Sequence, residues 1–135
     1  MKSFFVTTLL ALVLAVPFVS AQTNDKQVLM KQRGILLSQR VELQTTVHNT
    51  EQRLRQLDRD RYDKLEELEQ LYKAYKSVNP KYAFSAAASD EIAAQTASLN
   101  IIQKERSDCL EELDCLYAGL SKLNGDITNC DKAIK

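Results

Sequence analysis

IAAQTASLNIIQKERSDCLEELDCLYAGLSKLNGDITNCDKAI, residues 92–134, decides the fold. Starting from Ile92, the positions Gln95, Leu99, Ile102, Arg106, Cys109, Leu113, Leu116, Leu120, Leu123, Ile127, Cys130 and Ile134 follow in alternating steps of three and four. Eleven of these thirteen are apolar when cysteine is counted as a small hydrophobe, so one face of a helix is apolar along the whole stretch. Asn124-Gly125 reads as a turn in isolation. The three-four register runs through it, however, and both residues fall off the seam. Glycine on a helix surface costs only about 1 kcal/mol relative to alanine. The reading is therefore one helix over about 86–134.

Upstream, a weaker seam runs from Leu29. One set of positions is Leu29, Leu36, Leu43, Thr50, Leu57, Lys64, Leu71 and Val78, and the other is Arg33, Arg40, Val47, Leu54, Arg61, Leu68 and Tyr75. Ten of these fifteen are apolar, which supports a long helix whose seam has polar interruptions. Asn79-Pro80 ends it, because proline donates no amide and restricts the residue before it. Ser85 or Ser89 can cap the next helix, with Asp90 and Glu91 near its positive end.

The expected architecture is all-α: two long helices forming an antiparallel coiled-coil hairpin, itself pairing into a four-helix bundle or rod. Its segments are 1–21, 22–78, a bend at 79–85, and 86–135. An alignment in which facing residue numbers add to 163 sets Leu43 against Leu120, Val47 against Leu116 and Leu54 against Cys109. Any heptad-compatible shift matches the seams about as well. Charge favours antiparallel pairing independently: residues 24–82 carry 12 basic and 9 acidic side chains, and residues 83–135 carry 5 and 9. Opposite-sign arms select pairing more than they stabilise it. Met30, Leu37, Leu65 and Tyr72 widen the first seam sideways, as Leu110 and Tyr117 widen the second. Those extra stripes are the reason to expect a second hairpin on the first.

The chain opens MKSFFVTTLLALVLAVPFVSAQTNDK. Lys2, the apolar run from Phe4 to Val16, Pro17, and the small residues before Gln22 read as a signal peptide cleaved after Ala21. The run is short of the roughly 20 residues that span a bilayer. A secreted or periplasmic location follows as the expectation, with no membrane span once the leader is removed. If the segment instead stays in place as an anchor, the layout resembles that of the inner-membrane spanins of phages. That resemblance is one of arrangement along the chain, without a shared motif. It implies a membrane-anchored tether whose coiled-coil ectodomain carries intermolecular disulfides.

Without Lys2, 17 basic residues face 18 acidic ones, a balance that argues against nucleic acid as a partner. No C-x-x-C, H-E-x-x-H, Gly-rich phosphate loop or nucleophile elbow occurs, so neither enzyme activity nor a cofactor or metal is expected. His48, the only histidine, falls beside Val47 and off the seam. The carboxylate clusters at 64–70 and 110–114 read as solvated flanks of regular helices.

Two groups of residues remain as candidate sites. Around the bend, Tyr72, Tyr75, Tyr82 and Phe84 gather with Lys73, Lys76 and Lys81, either as a partner-binding tip or as an aromatic cap kept soluble by lysines. A hairpin binding module, holdase-type chaperone or carrier would use this tip. The second group is the three cysteines. Cys109 and Cys130 occupy seam positions three heptads apart, about 30 Å along one helix and beyond bonding distance. Cys115 lies off the seam, and the first helix has no cysteine. Within one hairpin the exception is Cys115 with Cys130, which requires the helix to fold back at Asn124-Gly125. Cys115 is therefore the leading candidate for a disulfide between chains, with Cys109 and Cys130 candidates if second helices pair in parallel. The principal seam residues of such an assembly are Leu43, Val47, Leu54, Leu57, Leu99, Ile102, Leu113, Leu116, Leu120, Leu123 and Ile127. The expected role is a structural or interaction protein that pairs with itself or with another helical protein.

Overall fold

A computed structural model describes residues 26–78 and 86–135. It contains two helices, α1 (Lys26–Val78) and α2 (Ala86–Ile134), which pack against each other as an all-α hairpin. Among the described residues there is no strand. Helix α1 stops at Val78, directly before Asn79-Pro80, where the proline ring and its missing amide end helical hydrogen bonding. Helix α2 begins at Ala86, so Ser89 lies within it and is not its cap; Ser85 falls outside the described residues. Asp90 and Glu91 sit beyond the first turn rather than in it.

Helix α2 continues through Asn124-Gly125 without interruption. The backbone of Gly125 is ordinary helix with no positive φ, and a Cβ built there meets nothing within 4 Å. The foldback that would bring Cys115 to Cys130 is excluded by this continuity. Fifteen helical residues hold the two about 22 Å apart along the axis.

The helix pair divides into two compact units. One combines Met1–Glu51 with Glu111–Lys135; the other is Gln52–Leu110. In the first, Leu36, Leu43, Val47, Leu113, Leu116, Leu123, Ile127 and Cys130 are buried, and Leu43, Leu116 and Leu123 are fully enclosed. Gly119 is buried as well, while its neighbour Leu120 is half-buried. In the second unit Leu57, Leu68, Ala88, Leu99 and Cys109 are buried, and Leu54, Ile102, Leu71 and Ile92 are half-buried. Each enclosed leucine contributes about 1.5–3 kcal/mol relative to exposure, so the hairpin is held mainly by this seam.

The polar residues that interrupt the seams are what give the hairpin its register. In the first unit, Arg33 donates to Asp131 across the helix pair, and Thr50 Oγ1, itself buried, donates to Glu112 at 3.4 Å. In the second, Lys64 Nζ donates to Gln95 Oε1 at 2.8 Å and Arg106 Nε to Asp58 at 2.5 Å. Arg53 and Glu105 form a looser pair at 3.7 Å. An apolar seam slides by a heptad at little cost, whereas a half-buried lysine or arginine is expensive unless its partner is opposite. In the first unit Glu51 also meets Tyr117.

Candidate functional site

An antiparallel helix pair has two flanks, and here they differ in character. On one flank of the first unit, the position held by Glu51 repeats every seven residues at Met30 and Leu37 of α1, and that of Tyr117 recurs at Asp131 of α2. The Tyr117 hydroxyl donates to Glu51 and bridges this flank. The carboxylate acceptor raises the Tyr117 pKa, because it stabilises the neutral phenol and opposes a second negative charge. Met30 and Tyr117 are exposed and Leu37 is half-buried. In the second unit, the same heptad positions hold Leu65, Tyr72 and Leu110, all exposed. The opposite flank is polar in each unit, carrying Asp126 in the first and Arg53, Asp60, Glu67, Glu91 and Glu105 in the second.

The apolar flank therefore combines α1 and α2: antiparallel pairing sets Met30, Leu37, Leu65 and Tyr72 on the same side as Leu110 and Tyr117 within their respective units. Five further exposed apolar residues, Val28, Ile35, Val41, Tyr62 and Ile101, lie outside the seams and stripes read from the sequence. A signal for two of them was present. Stepping on from Met30 by fours and threes reaches Gly34, Leu37 and Val41, and the same stepping later reaches Tyr62, Leu65 and Tyr72.

The bend group is only partly within the described residues. Tyr82, Phe84 and Lys81 lie outside them. Tyr72 and Lys76 are exposed on the last turns of α1. Tyr75 is half-buried, and its hydroxyl donates to Glu91 Oε2 at 2.5 Å. That bond, then partial burial, raises the Tyr75 pKa, and it ties the end of α1 to the start of α2. Lys73 is engaged with Glu69 one turn earlier, at 2.6 Å, and its ammonium holds the Glu69 carboxyl below its usual range.

The three thiols differ in environment. Cys109 and Cys130 are buried, and Cys115 is exposed. Cys130 Sγ donates to the carbonyl oxygen of Leu29 at 3.3 Å. The two buried thiols occupy the packed seam as small hydrophobes. Among the described residues, no three histidine, cysteine, aspartate or glutamate side chains group to hold a metal ion, and no helix is long and apolar enough to cross a membrane.

The fold defines a class, the antiparallel helical hairpin. Compared with family models, curated proteins and solved structures, the chain matches none of them.

Proposed function

We propose that the chain is an exported, non-enzymatic structural or interaction protein whose hairpin assembles by helix packing, with a second copy or with another helical protein. The observation that carries this reading is the apolar flank. Within one unit Met30 and Tyr117, and within the other Leu65, Tyr72 and Leu110, stay exposed beside an already filled seam. Exposed apolar side chains spaced along one side of a helix pair and rimmed by charge support an interaction surface. Cys115, exposed on α2, is the thiol through which neighbouring chains would be linked in an oxidising compartment. Export rests on the leader-like residues 1–21, and N-terminal sequencing of the exported chain, expected to start at Gln22, tests that part.

Sedimentation velocity tests assembly. The secreted chain should associate reversibly at concentrations on the order of 10 μM. A single monomeric species at ten times that concentration would remove self-assembly. A tip-binding chaperone or carrier has less support, because the Tyr75 hydroxyl is already committed to Glu91.

A further inference from the structure

Asn124-Gly125 reads as a turn yet lies within α2, and the fold has no need of glycine there. The backbone has no positive φ, and a Cβ at Gly125 meets nothing within 4 Å. What glycine does supply is an unshielded amide nitrogen directly after an asparagine side chain. Both residues are exposed, in the turn between buried Leu123 and Ile127 of the first unit. Water reaches this pair, so the helix is what restrains its chemistry.

Two features of the helix oppose closure of a ring between Asn124 Cγ and the Gly125 nitrogen. The Gly125 amide is engaged with the Ser121 carbonyl in the helical hydrogen-bond pattern. Closure also requires the Asn124 ψ to leave its helical value of about −42°. That rotation swings the Asn124 carbonyl oxygen, which accepts from Thr128 Oγ1 at 2.8 Å. It also redirects the chain beyond, where Ile127 and Cys130 are buried in the seam. Ring closure therefore waits for this turn of α2 to open.

We propose that Asn124-Gly125 is a self-modifying site gated by the fold, a deamidation clock whose β-linked product holds the turn open. In the open turn the Gly125 nitrogen gives its proton to a solvent base and attacks Asn124 Cγ. The nitrogen–Cγ bond forms, the Cγ–Nδ2 bond breaks, and Nδ2 takes a proton from solvent and leaves as ammonia. Water then opens the cyclic imide. Attack at Cγ leaves an ordinary aspartate, and attack at the main-chain carbonyl leaves a chain that runs through Cβ and Cγ. Nothing is oxidised or reduced. The β-linked form adds a methylene to the main chain, which puts Ile127 and Cys130 out of phase with Leu116 and Leu123. The aspartate form keeps the helix.

Trypsin reports both halves of this proposal in one peptide, residues 123–132, which carries Asn124 and Cys130. The purified full chain is held at mildly alkaline pH, native or in guanidinium chloride, and sampled by mass spectrometry. Deamidation of Asn124 should be slower in the native chain by about ten-fold or more. Ile127→Val and Ile127→Ala, checked for helicity by circular dichroism, should raise the native rate in that order, the alanine variant by about ten-fold. Their rates in guanidinium should match the parent. Equal rates in the native and unfolded parent, or a native rate that neither variant moves, overturns the gate. Brief maleimide labelling of the aged native chain should mark Cys130 mainly in the β-linked peptide. Equal labelling of the β-linked, aspartate and unmodified forms overturns the break in the helix. Asn124→Gln, which closes the corresponding ring far more slowly, should keep Cys130 protected through the same ageing; loss of protection there overturns the link between this site and the seam.

Discussion

The thiol of Cys130 hydrogen-bonds the carbonyl oxygen of Leu29 across the helix pair, joining residues 101 positions apart in the chain. The contact places a cysteine in the packed seam of the unit that holds both helix ends, in the role of a small apolar residue with one weak donor. It also separates this thiol from Cys115, which faces solvent on the same helix.

Alkylation should resolve that difference. Under native conditions a maleimide-type reagent is expected to label Cys115 quickly and Cys109 and Cys130 only at the rate at which the seam opens. Intact-mass analysis would show one early adduct, and three after denaturation. Rapid labelling of all three in the native protein would mean that the seam does not protect its thiols. Under non-reducing conditions, Cys115→Ser should remove any covalent dimer with little change in melting temperature.

Leu116 is fully enclosed and Leu110, less than two turns earlier on α2, is exposed. Truncation to alanine should therefore cost about 2–4 kcal/mol at Leu116, where a cavity is left, and under about 1 kcal/mol at Leu110. Urea denaturation with a common slope gives both values. Equal costs would show that the exposed flank packs as tightly within the chain as the seam does.

Gly125→Ala is expected to stabilise the hairpin by about 0.5–1 kcal/mol. The backbone there is helical, a Cβ meets nothing, and alanine leaves less freedom in the unfolded chain. A lower thermal midpoint would indicate a turn at Asn124-Gly125 rather than a through-going helix.

Tyr75 and Tyr117 both hold their protons more tightly in the fold than in the unfolded chain, because each donates to a carboxylate. A group with a raised folded pKa contributes stability below its unfolded value and loses it as pH climbs through the folded value. The contribution should thus be complete below about pH 10, the free tyrosine value, and fade above it. Comparing melting temperatures of the parent with those of Tyr75→Phe and Tyr117→Phe across that range isolates the effect from lysine titration. The parent's advantage should shrink as pH rises; an advantage that grows would reverse the sign of both shifts.

Two long helices meeting as a hairpin are legible in the sequence because helical periodicity and the Asn79-Pro80 break are local properties. The continuity of α2 through Asn124-Gly125 is legible for the same reason: an unbroken apolar register outweighs a weak turn signal. Register was not, since apolar heptads match equally well after a shift of seven. Only the tertiary structure decided it, through cross-helix partners such as Asp58 for Arg106 and Gln95 for Lys64, whose cost when unpaired forbids sliding. The same holds for the flanks. Met30, Leu37 and Tyr117 belong to separate stripes along the chain, and antiparallel pairing alone brings them to one side.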